Sequence, residues 1–291
     1  MSRLLRAGFV RLWKSKIFWW CLIFLVFMEI MAFNANVMTS SSVTSDETGR
    51  FEETVTYIKY MDLEDVVFMI MPYFGFVISV FVSLYMGTEY EDGTMRNKVI
   101  AGHNRTSIYL AETIVCTVAA VFLCIVTIAV SALIDLVWGS ELGIGVWILL
   151  RMVFASVLIA VACSGIALST VAWMQQGKSA LVINLVIFFL MLFLGMWIDS
   201  RLGEKEYLHS RWRISEEGEV IENKTPNPNY VWNPAERAAM EFVEDIFPVG
   251  QGIQLASVEL ARIERWPAFA LGVTVATTGI GVFLFRKKDI R

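Results

Sequence analysis

The sequence predicts an all-α, polytopic membrane protein with six transmembrane helices. Its 291 residues are 56% hydrophobic and 18% charged, whereas a soluble domain has about 45–50% apolar and about 25% charged residues. The mean hydropathy is +0.59. Six apolar stretches are each long enough to cross about 30 Å of hydrocarbon, and none shows the two-residue alternation of a barrel strand. Spanning helices are therefore expected.

The predicted elements follow one another along the chain. Residues 1–16 place apolar and basic side chains at helical spacing, which favours an interfacial amphipathic helix over a merely basic flank. The six spans are predicted at 17–38, 66–87, 107–138, 146–173, 179–198 and 266–285. The connecting parts are an extracellular loop at 39–65, a cytoplasmic loop at 88–106, an extracellular region at 199–265 and a cytoplasmic tail at 286–291.

The distribution of basic residues predicts the orientation. Five basic residues and no acidic one precede the first span, and the tail after the last span is basic as well. The loop at 39–65 instead carries seven acidic residues against Arg50 and Lys59. Because short basic flanks remain cytoplasmic, both termini are expected inside, which requires an even number of spans.

The long extracellular region is predicted to contain two short amphipathic helices. Apolar residues recur at near-helical spacing over 238–247 and again over 253–263, after Pro248, Gly250 and Gly252. The middle of this region, with Pro226, Pro228 and Pro234 among asparagines, is typical of irregular structure. The two helices could lie on the outer leaflet or cover the mouth of a path.

Several classes of function lack support in the sequence. A net charge of −4 gives no basic excess for nucleic acid. The four cysteines lie within apolar stretches and are expected to be packing residues. Neither His103 nor His209 has a second ligand at suitable spacing, so no metal site is expected. Hydrolase motifs are absent as well.

The cytoplasmic loop at 88–106 is the most informative polar segment. It is dense in charge of both signs, and glycines at 93 and 102 interrupt it. Between them, Thr94–Ala101 is long enough for about two helical turns. A short helix with an apolar edge suits docking into a groove of a soluble partner, although a solvated connecting loop is an equal alternative. The apolar residues of this segment are Met95, Val99 and Ile100.

The same loop resembles the signature of ABC-2-type permeases. The stretch Glu89-Tyr90-Glu91-Asp92-Gly93-Thr94-Met95-Arg96, followed by Arg105 before the third span, is similar to the family's pattern. The resemblance extends over the whole layout, including Phe247-Pro248-Val249-Gly250-Gln251 before the last span and the basic ending. Glu112 departs from the pattern, which often has lysine near that point.

The resemblance implies a type V exporter-like architecture in which the loop forms a coupling helix. Such a helix transmits the closure of a cytoplasmic ABC ATPase subunit to the membrane. Dimerisation with a second permease chain, identical or related, is also implied. The candidate coupling residues are those of the motif and two apolar residues of the short helix: Glu89, Glu91, Gly93, Thr94, Met95, Arg96, Val99 and Arg105.

A second motif is misleading. Residues 172–179 end in the Gly-Lys-Ser of a phosphate-binding loop, but Ala172 stands where that motif needs glycine. The segment also lies between two spans and follows no strand. We therefore expect no cofactor in this chain, with ATP and Mg²⁺ bound by the separate ATPase subunit.

Besides Glu112, three charged residues fall within the predicted spans, where a charge normally faces a partner or a cavity. Glu29 lies in the first span, Asp135 near the outer end of the third, and Arg151 near the outer end of the fourth. Arg151 could pair with either acid. A structural ion pair and a role in the translocation path are both compatible with this pattern.

The expected function is that of a membrane-spanning permease subunit in a bacterial cytoplasmic membrane. By resemblance, it exports an antimicrobial peptide, an antibiotic or another amphipathic molecule, with self-immunity as one outcome. Export of lipid, glycan or ions by the same architecture remains open. So do a non-transporting sensor or scaffold and a membrane enzyme that uses Glu29 or Asp135, although no catalytic constellation supports the enzyme.

Overall fold

The computed structural model describes residues 1–39, 63–138, 143–214 and 220–288. Most of the predicted loop at 39–65 therefore lies outside the described residues, as do residues 139–142 and the last three residues of the tail. The elements in chain order are α1 (Ser2–Lys14), α2 (Lys16–Thr39), α3 (Leu63–Val67), α4 (Met71–Glu91), α5 (Thr94–Ile100), α6 (Arg105–Trp138), α7 (Val146–Met174), α8 (Gly177–Leu202), β1 (Tyr207–Ile214), β2 (Val220–Pro226), α9 (Pro234–Ile246), α10 (Pro248–Ala256) and α11 (Trp266–Lys287).

Six helical segments in the described ranges are long and apolar enough to cross a membrane. They are α2, α6, α7, α8, α11 and a longer unit in which α3 joins α4 through a turn. The predicted all-α class with six spans is therefore confirmed. Their outward faces carry large apolar side chains such as Trp20, Phe193 and Val275, which suits contact with lipid rather than water.

Helix α4 is the most deeply buried of the six and lies at the centre of the bundle. It packs against α2, α7, α8 and α10, while α11 packs mainly against α7 and α1 packs on α6. Phe74, Ile78 and Phe81 recur along the buried side of α4 and belong to the hydrophobic core. Because α4 is central, the loop that follows its last residue begins in the middle of one end of the bundle.

The contact between α4 and α8 depends on two glycines. A Cβ atom on Gly87 would lie 2.4 Å from the Cα atom of Gly177, so neither position has room for a side chain. Small residues allow helix backbones to approach closely inside a membrane. Gly177 is the first residue of α8 and of the Gly-Lys-Ser sequence, and this packing explains why glycine stands there.

The region after α8 differs from the prediction in two respects. Residues before the expected irregular stretch, for which no strands were predicted, form an antiparallel hairpin of β1 and β2, in which Ile214 pairs with Val220 and Trp212 with Glu222. The stretch from Pro226 to Pro234 has only turns and irregular chain between β2 and α9, as expected. The second amphipathic helix was predicted over 253–263, but α10 begins at Pro248 and ends at Ala256. Proline suits the first turn of a helix, and a side chain at Gly250 would collide with the backbone of Glu244.

Candidate functional site

Helix α5 is held in a tight turn directly after α4. Gly93 precedes it with φ +67°, a left-handed conformation that glycine adopts without strain. The hydroxyl of Thr94 donates a hydrogen bond to the backbone oxygen of Glu89 at 3.0 Å. The chain therefore reverses within two residues and lays α5 against the end of the bundle.

The two sides of α5 have different surroundings. Met95 is 1% exposed and Val99 packs against the hydrophobic core of this chain. Met95 is therefore buried by its own bundle, whereas Val99 is half-buried, and its place on a coupling surface stays a prediction. Arg96 is exposed, and Ile100 is 72% exposed. The exposed side of α5 therefore carries an apolar side chain, Ile100, one helical turn from a cation, Arg96.

Four charged side chains from four helices meet behind α5, and we call this group the four-charge network. Lys98 of α5 lies with its Nζ atom 2.7 Å from Glu89 Oε1 and 2.7 Å from Glu112 Oε1. Arg11 of α1 pairs with Glu89 and, at 3.0 Å, with Glu112 Oε2. Each cation thus contacts both carboxylates, which ties α5 and α1 to the ends of α4 and α6.

Arg11 is also fixed by an aromatic side chain of α4. Its Nε atom donates to the hydroxyl of Tyr85 at 2.9 Å, and its guanidinium carbon lies 4.2 Å from the centre of the Tyr85 ring. The Tyr85 hydroxyl in turn donates to the backbone oxygen of Gly8 at 3.1 Å. These contacts attach α1 to α4 in one orientation, because a planar guanidinium can satisfy all of them in a single geometry only.

The charges of the network balance. Glu89 and Glu112 are each 3% exposed, and their two cations are 20–30% exposed. Burial lowers the pKa of Lys98, and the neighbouring Glu112 carboxylate acts in the opposite direction. Glu112, the position that departs from the family pattern, therefore supplies a negative charge that Lys98 and Arg11 both require.

Two candidate coupling residues lie outside the network: Arg105 bonds the end of α11, and Glu91 is on the surface. Arg105 donates from Nη1 to the backbone oxygens of Arg286 at 3.2 Å and Lys288 at 3.0 Å, and Lys288 Nζ donates to the backbone oxygen of Trp173. These bonds hold the end of α11 beside the start of α6. Glu91 is exposed at the end of α4.

The intramembrane charges are arranged differently from the prediction. Arg151 is 61% exposed and lies 3.5 Å from Glu264, so its predicted pairing with Glu29 or Asp135 is wrong. Glu29 instead accepts a hydrogen bond from Ser131 at 2.9 Å. Asp135 follows Ser131 by one helical turn on α6 and lies within electrostatic range of Glu29. Both acids are buried, whereas Arg151 is exposed and contacts Glu264.

Comparison with known protein families decides the class. The family model described as ABC-2 family transporter protein matches residues 4–195, about two thirds of the chain. The match begins in α1 and includes α5 and all residues of the four-charge network. The chain belongs to the ABC-2 transporter family. It is a multi-pass membrane protein and a membrane transport subunit, and membership implies a separate ABC ATPase subunit as its partner. A search of curated proteins gives no significant match.

Sequence reasoning missed the three members of the network other than Glu89. In the sequence, Arg11 is one of the basic residues of the N-terminal flank, Lys98 is one charged residue of the loop among several, and Glu112 is a departure from the family pattern. Arg11 and Glu112 are 101 positions apart, and no local spacing relates them. A residue of unusual charge near the start of a spanning helix is the one signal that could have pointed to the site.

Proposed function

We propose that this ABC-2 chain is the permease subunit of an ATP-driven exporter and that α5 is its coupling helix. Closure of the cytoplasmic ATPase would move α5, and the four-charge network would pass that motion to α1, α4 and α6. The observation that carries the proposal is the pair of contacts made by Lys98, because one side chain links α5 to two spanning helices.

The outward side of α5 supports a docking role. Arg96 and Ile100 are exposed, whereas Met95 and Lys98 on the other side hold the helix to the bundle. An isolated exposed isoleucine is ordinary on a protein surface. Here it lies beside a cation on a helix anchored by charge pairs, which is the combination that a groove with an acidic rim would recognise.

The arrangement of the chain ends supports a cytoplasmic location for both termini. Arg11 joins α1 to the network beside α5, and Arg105 joins the start of α6 to the end of α11. The basic N-terminal helix, the coupling loop and the basic tail therefore lie at one end of the bundle. Basic segments favour the cytoplasmic side.

The transported molecule is proposed to be amphipathic, such as an antimicrobial peptide or an antibiotic, and a second permease chain is proposed to complete the path. The chain itself is proposed to bind no ATP or Mg²⁺, which the ATPase subunit would hold. Close packing of Gly177 against Gly87 supports this, because it accounts for the glycine of the Gly-Lys-Ser sequence without a bound phosphate.

Co-purification with the ATPase tests the docking surface. The double variant Arg96→Glu with Ile100→Ser is expected to fold normally and to lose at least about tenfold in ATPase affinity, equivalent to 1.4 kcal/mol. Arg265→Glu with Leu208→Ser changes a matched pair of exposed residues outside α5 and is expected to bind the ATPase like the wild type. Unchanged binding by the α5 variant would contradict the proposal.

A further inference from the structure

The exposed side of α1 forms a basic face. An open hollow of about 610 Å³ on this side is lined by residues at helical spacing: Arg3, Arg6, Ala7, Val10, Arg11 and Lys14. The opposite side of the helix is buried against the bundle. Arg11 is balanced by the two carboxylates of the four-charge network, whereas Arg3, Arg6 and Lys14 are exposed. Lys16, at the start of α2, is exposed as well, and α1 contains no acidic residue. This end of the chain therefore carries positive charge beyond what the network uses.

An apolar groove begins where α1 ends. It lies between α2 and α4, has a volume of about 620 Å³, and is lined by Ile17, Phe24, Val80 and Leu84 among other apolar residues. A second part of about 270 Å³ shares Phe24 and extends to Met28. Met28 follows Ile17 by eleven residues, or about 16 Å along a helix. Because the hydrocarbon core is about 30 Å thick, the groove has the length of one leaflet.

Two observations connect the basic face with the groove. Lys14 lines the hollow on α1, and Ile17, three residues later, lines the groove. Three residues of chain span at most about 10 Å. Arg11 of the basic face also stacks on Tyr85, with its guanidinium carbon 4.2 Å from the ring centre, and the preceding residue, Leu84, lines the groove. The positive charge is therefore held at one end of the groove from both α2 and α4.

Tryptophans mark this end of the groove as the membrane boundary. The rings of Trp13 and Trp19 lie 5.6 Å apart, and Nε1 of Trp19 donates to the backbone oxygen of Trp13 at 3.0 Å. Trp20 lines the groove and is 68% exposed. Tryptophan is enriched where lipid headgroups meet the hydrocarbon. Lys14 and Lys16 lie between these tryptophans in the chain, so their cations belong at the level of the lipid phosphates.

We infer that the groove and the basic face together bind one anionic phospholipid. Its acyl chain lies in the groove, and its phosphate contacts Lys14 and Lys16. The site asks for an apolar chain of one leaflet's length joined to a negative head, and a phospholipid supplies both. Basic segments beside a spanning helix attract anionic lipid, whereas a soluble ATPase has no acyl chain to place at hydrocarbon depth. The inference goes beyond the proposed export function and does not depend on it.

Two lipids with the same acyl chains and different headgroups test the charge at the site. Dioleoylphosphatidylglycerol and dioleoylphosphatidylcholine are titrated into the purified, delipidated full chain in detergent, and native mass spectrometry counts the bound lipids. The wild type is expected to bind one phosphatidylglycerol at least about tenfold more tightly than phosphatidylcholine, or about 1.4 kcal/mol. Lys14→Gln with Lys16→Gln is expected to abolish this preference. Arg286→Gln with Lys287→Gln removes two exposed cations at the end of α11, and this matched control is expected to keep it.

A second pair of variants tests the groove. Val80→Trp fills the groove from α4 and is expected to weaken the binding of both lipids at least about tenfold. Val275→Trp places the same side chain on α11, at a position that is 71% exposed, and is expected to bind both lipids like the wild type.

Several results would overturn the inference. Equal affinity of the wild type for the two lipids would do so, as would a preference that survives the loss of Lys14 and Lys16. An equal loss of preference in the α11 control would show general attraction to positive charge instead of a site. Wild-type binding by Val80→Trp would exclude the groove, and a lipid-free dimer that Val80→Trp dissociates would assign it to a second copy of the chain. None of these measurements includes the ATPase, so failure here is distinct from failure of the coupling proposal.

Discussion

The Nζ atom of Lys98, on the short helix α5, lies 2.7 Å from a carboxylate oxygen of Glu112, on the spanning helix α6. Glu112 is 3% exposed. A contact of this kind holds α5 to the membrane helices only while both charges are present. Removing one partner leaves the other buried without its counter-charge, which is more harmful than removing both.

Neutralising both residues is therefore expected to destabilise the chain less than neutralising either one. Lys98→Met leaves two carboxylates against Arg11, and Glu112→Gln leaves two cations against Glu89. Each single variant is expected to lose about 2 kcal/mol, and a coupling energy of about 3 kcal/mol would leave the double variant with a loss of about 1 kcal/mol. Unfolding in detergent, followed for all four chains, measures this cycle. Strictly additive losses would show that the pair is not energetically linked.

Arg11 is expected to matter more than its neighbours on α1. Arg11→Gln removes contacts with Glu89, Glu112 and Tyr85 together, so a loss of roughly 2–3 kcal/mol is expected. Arg6→Gln, on the same helix but exposed, is the control and is expected to stay within about 0.5 kcal/mol of the wild type. Thermal unfolding of the two variants distinguishes them, and equal unfolding temperatures would contradict the assignment of Arg11 to the network.

Gly93→Ala tests the turn before α5. The position has φ +67° and open space around it. Alanine would therefore collide with nothing, but it disfavours this left-handed conformation, and the free energy of unfolding is expected to fall by about 1 kcal/mol. Gly272→Ala, within α11 and equally open, is expected to be neutral or stabilising by about 0.5–1 kcal/mol because alanine favours a helix. Opposite signs in thermal unfolding are the predicted result. An equal loss of stability at both positions would contradict the claim that the left-handed backbone at Gly93 requires glycine.

Gly87→Ala is expected to be much more harmful. Its methyl group would meet the backbone of Gly177, which cannot rotate away, so α4 and α8 must separate at a cost of roughly 1–3 kcal/mol or more. Gly279→Ala has nothing within 4 Å and is the matched control. Expression level and monodispersity in detergent report the difference. A Gly87→Ala chain that behaves like the control would show that the helix contact is looser than described.

Stability is expected to depend on pH through the outer helix α9. Glu244 bonds Arg262 at 2.6 Å, yet burial raises the pKa of its carboxyl from 4.5 to about 7. Between these two pKa values the folded chain holds a proton on Glu244 that the unfolded chain has released. Protonation of Glu244 therefore adds to the free energy of unfolding in full below pH 4.5, and this stabilisation is lost as pH rises to about 7. The wild type is expected to unfold at a higher temperature at pH 5.5 than at pH 8, by a few °C.

Glu244→Gln removes the titrating group and is expected to flatten this dependence. Glu236→Gln, at an exposed position of the same helix, is expected to leave it as in the wild type. An unfolding temperature of Glu244→Gln that varies with pH as much as that of the wild type would rule out Glu244 as the source.

The six spans could be predicted because each depends on an apolar run in one continuous segment. Glu89, Gly93 and Thr94 could be placed at the site because the loop motif is local as well. Arg11 and Lys98 could not, since their shared carboxylates come from helices brought together only by folding. The β1–β2 hairpin was missed for a related reason, because its pairing depends on a partner strand rather than on spacing. The sidedness of the loops stays a prediction.

Coupled ATP hydrolysis by the reconstituted complex tests the central claim most directly. The Lys98→Met, Glu112→Gln double variant is expected to fold nearly as well as the wild type and to bind the ATPase through Arg96 and Ile100. Because α5 has then lost its link to α6, its hydrolysis is expected to respond at least about tenfold less to a transported molecule, equivalent to 1.4 kcal/mol. A double variant with wild-type stimulation would contradict transmission through the four-charge network.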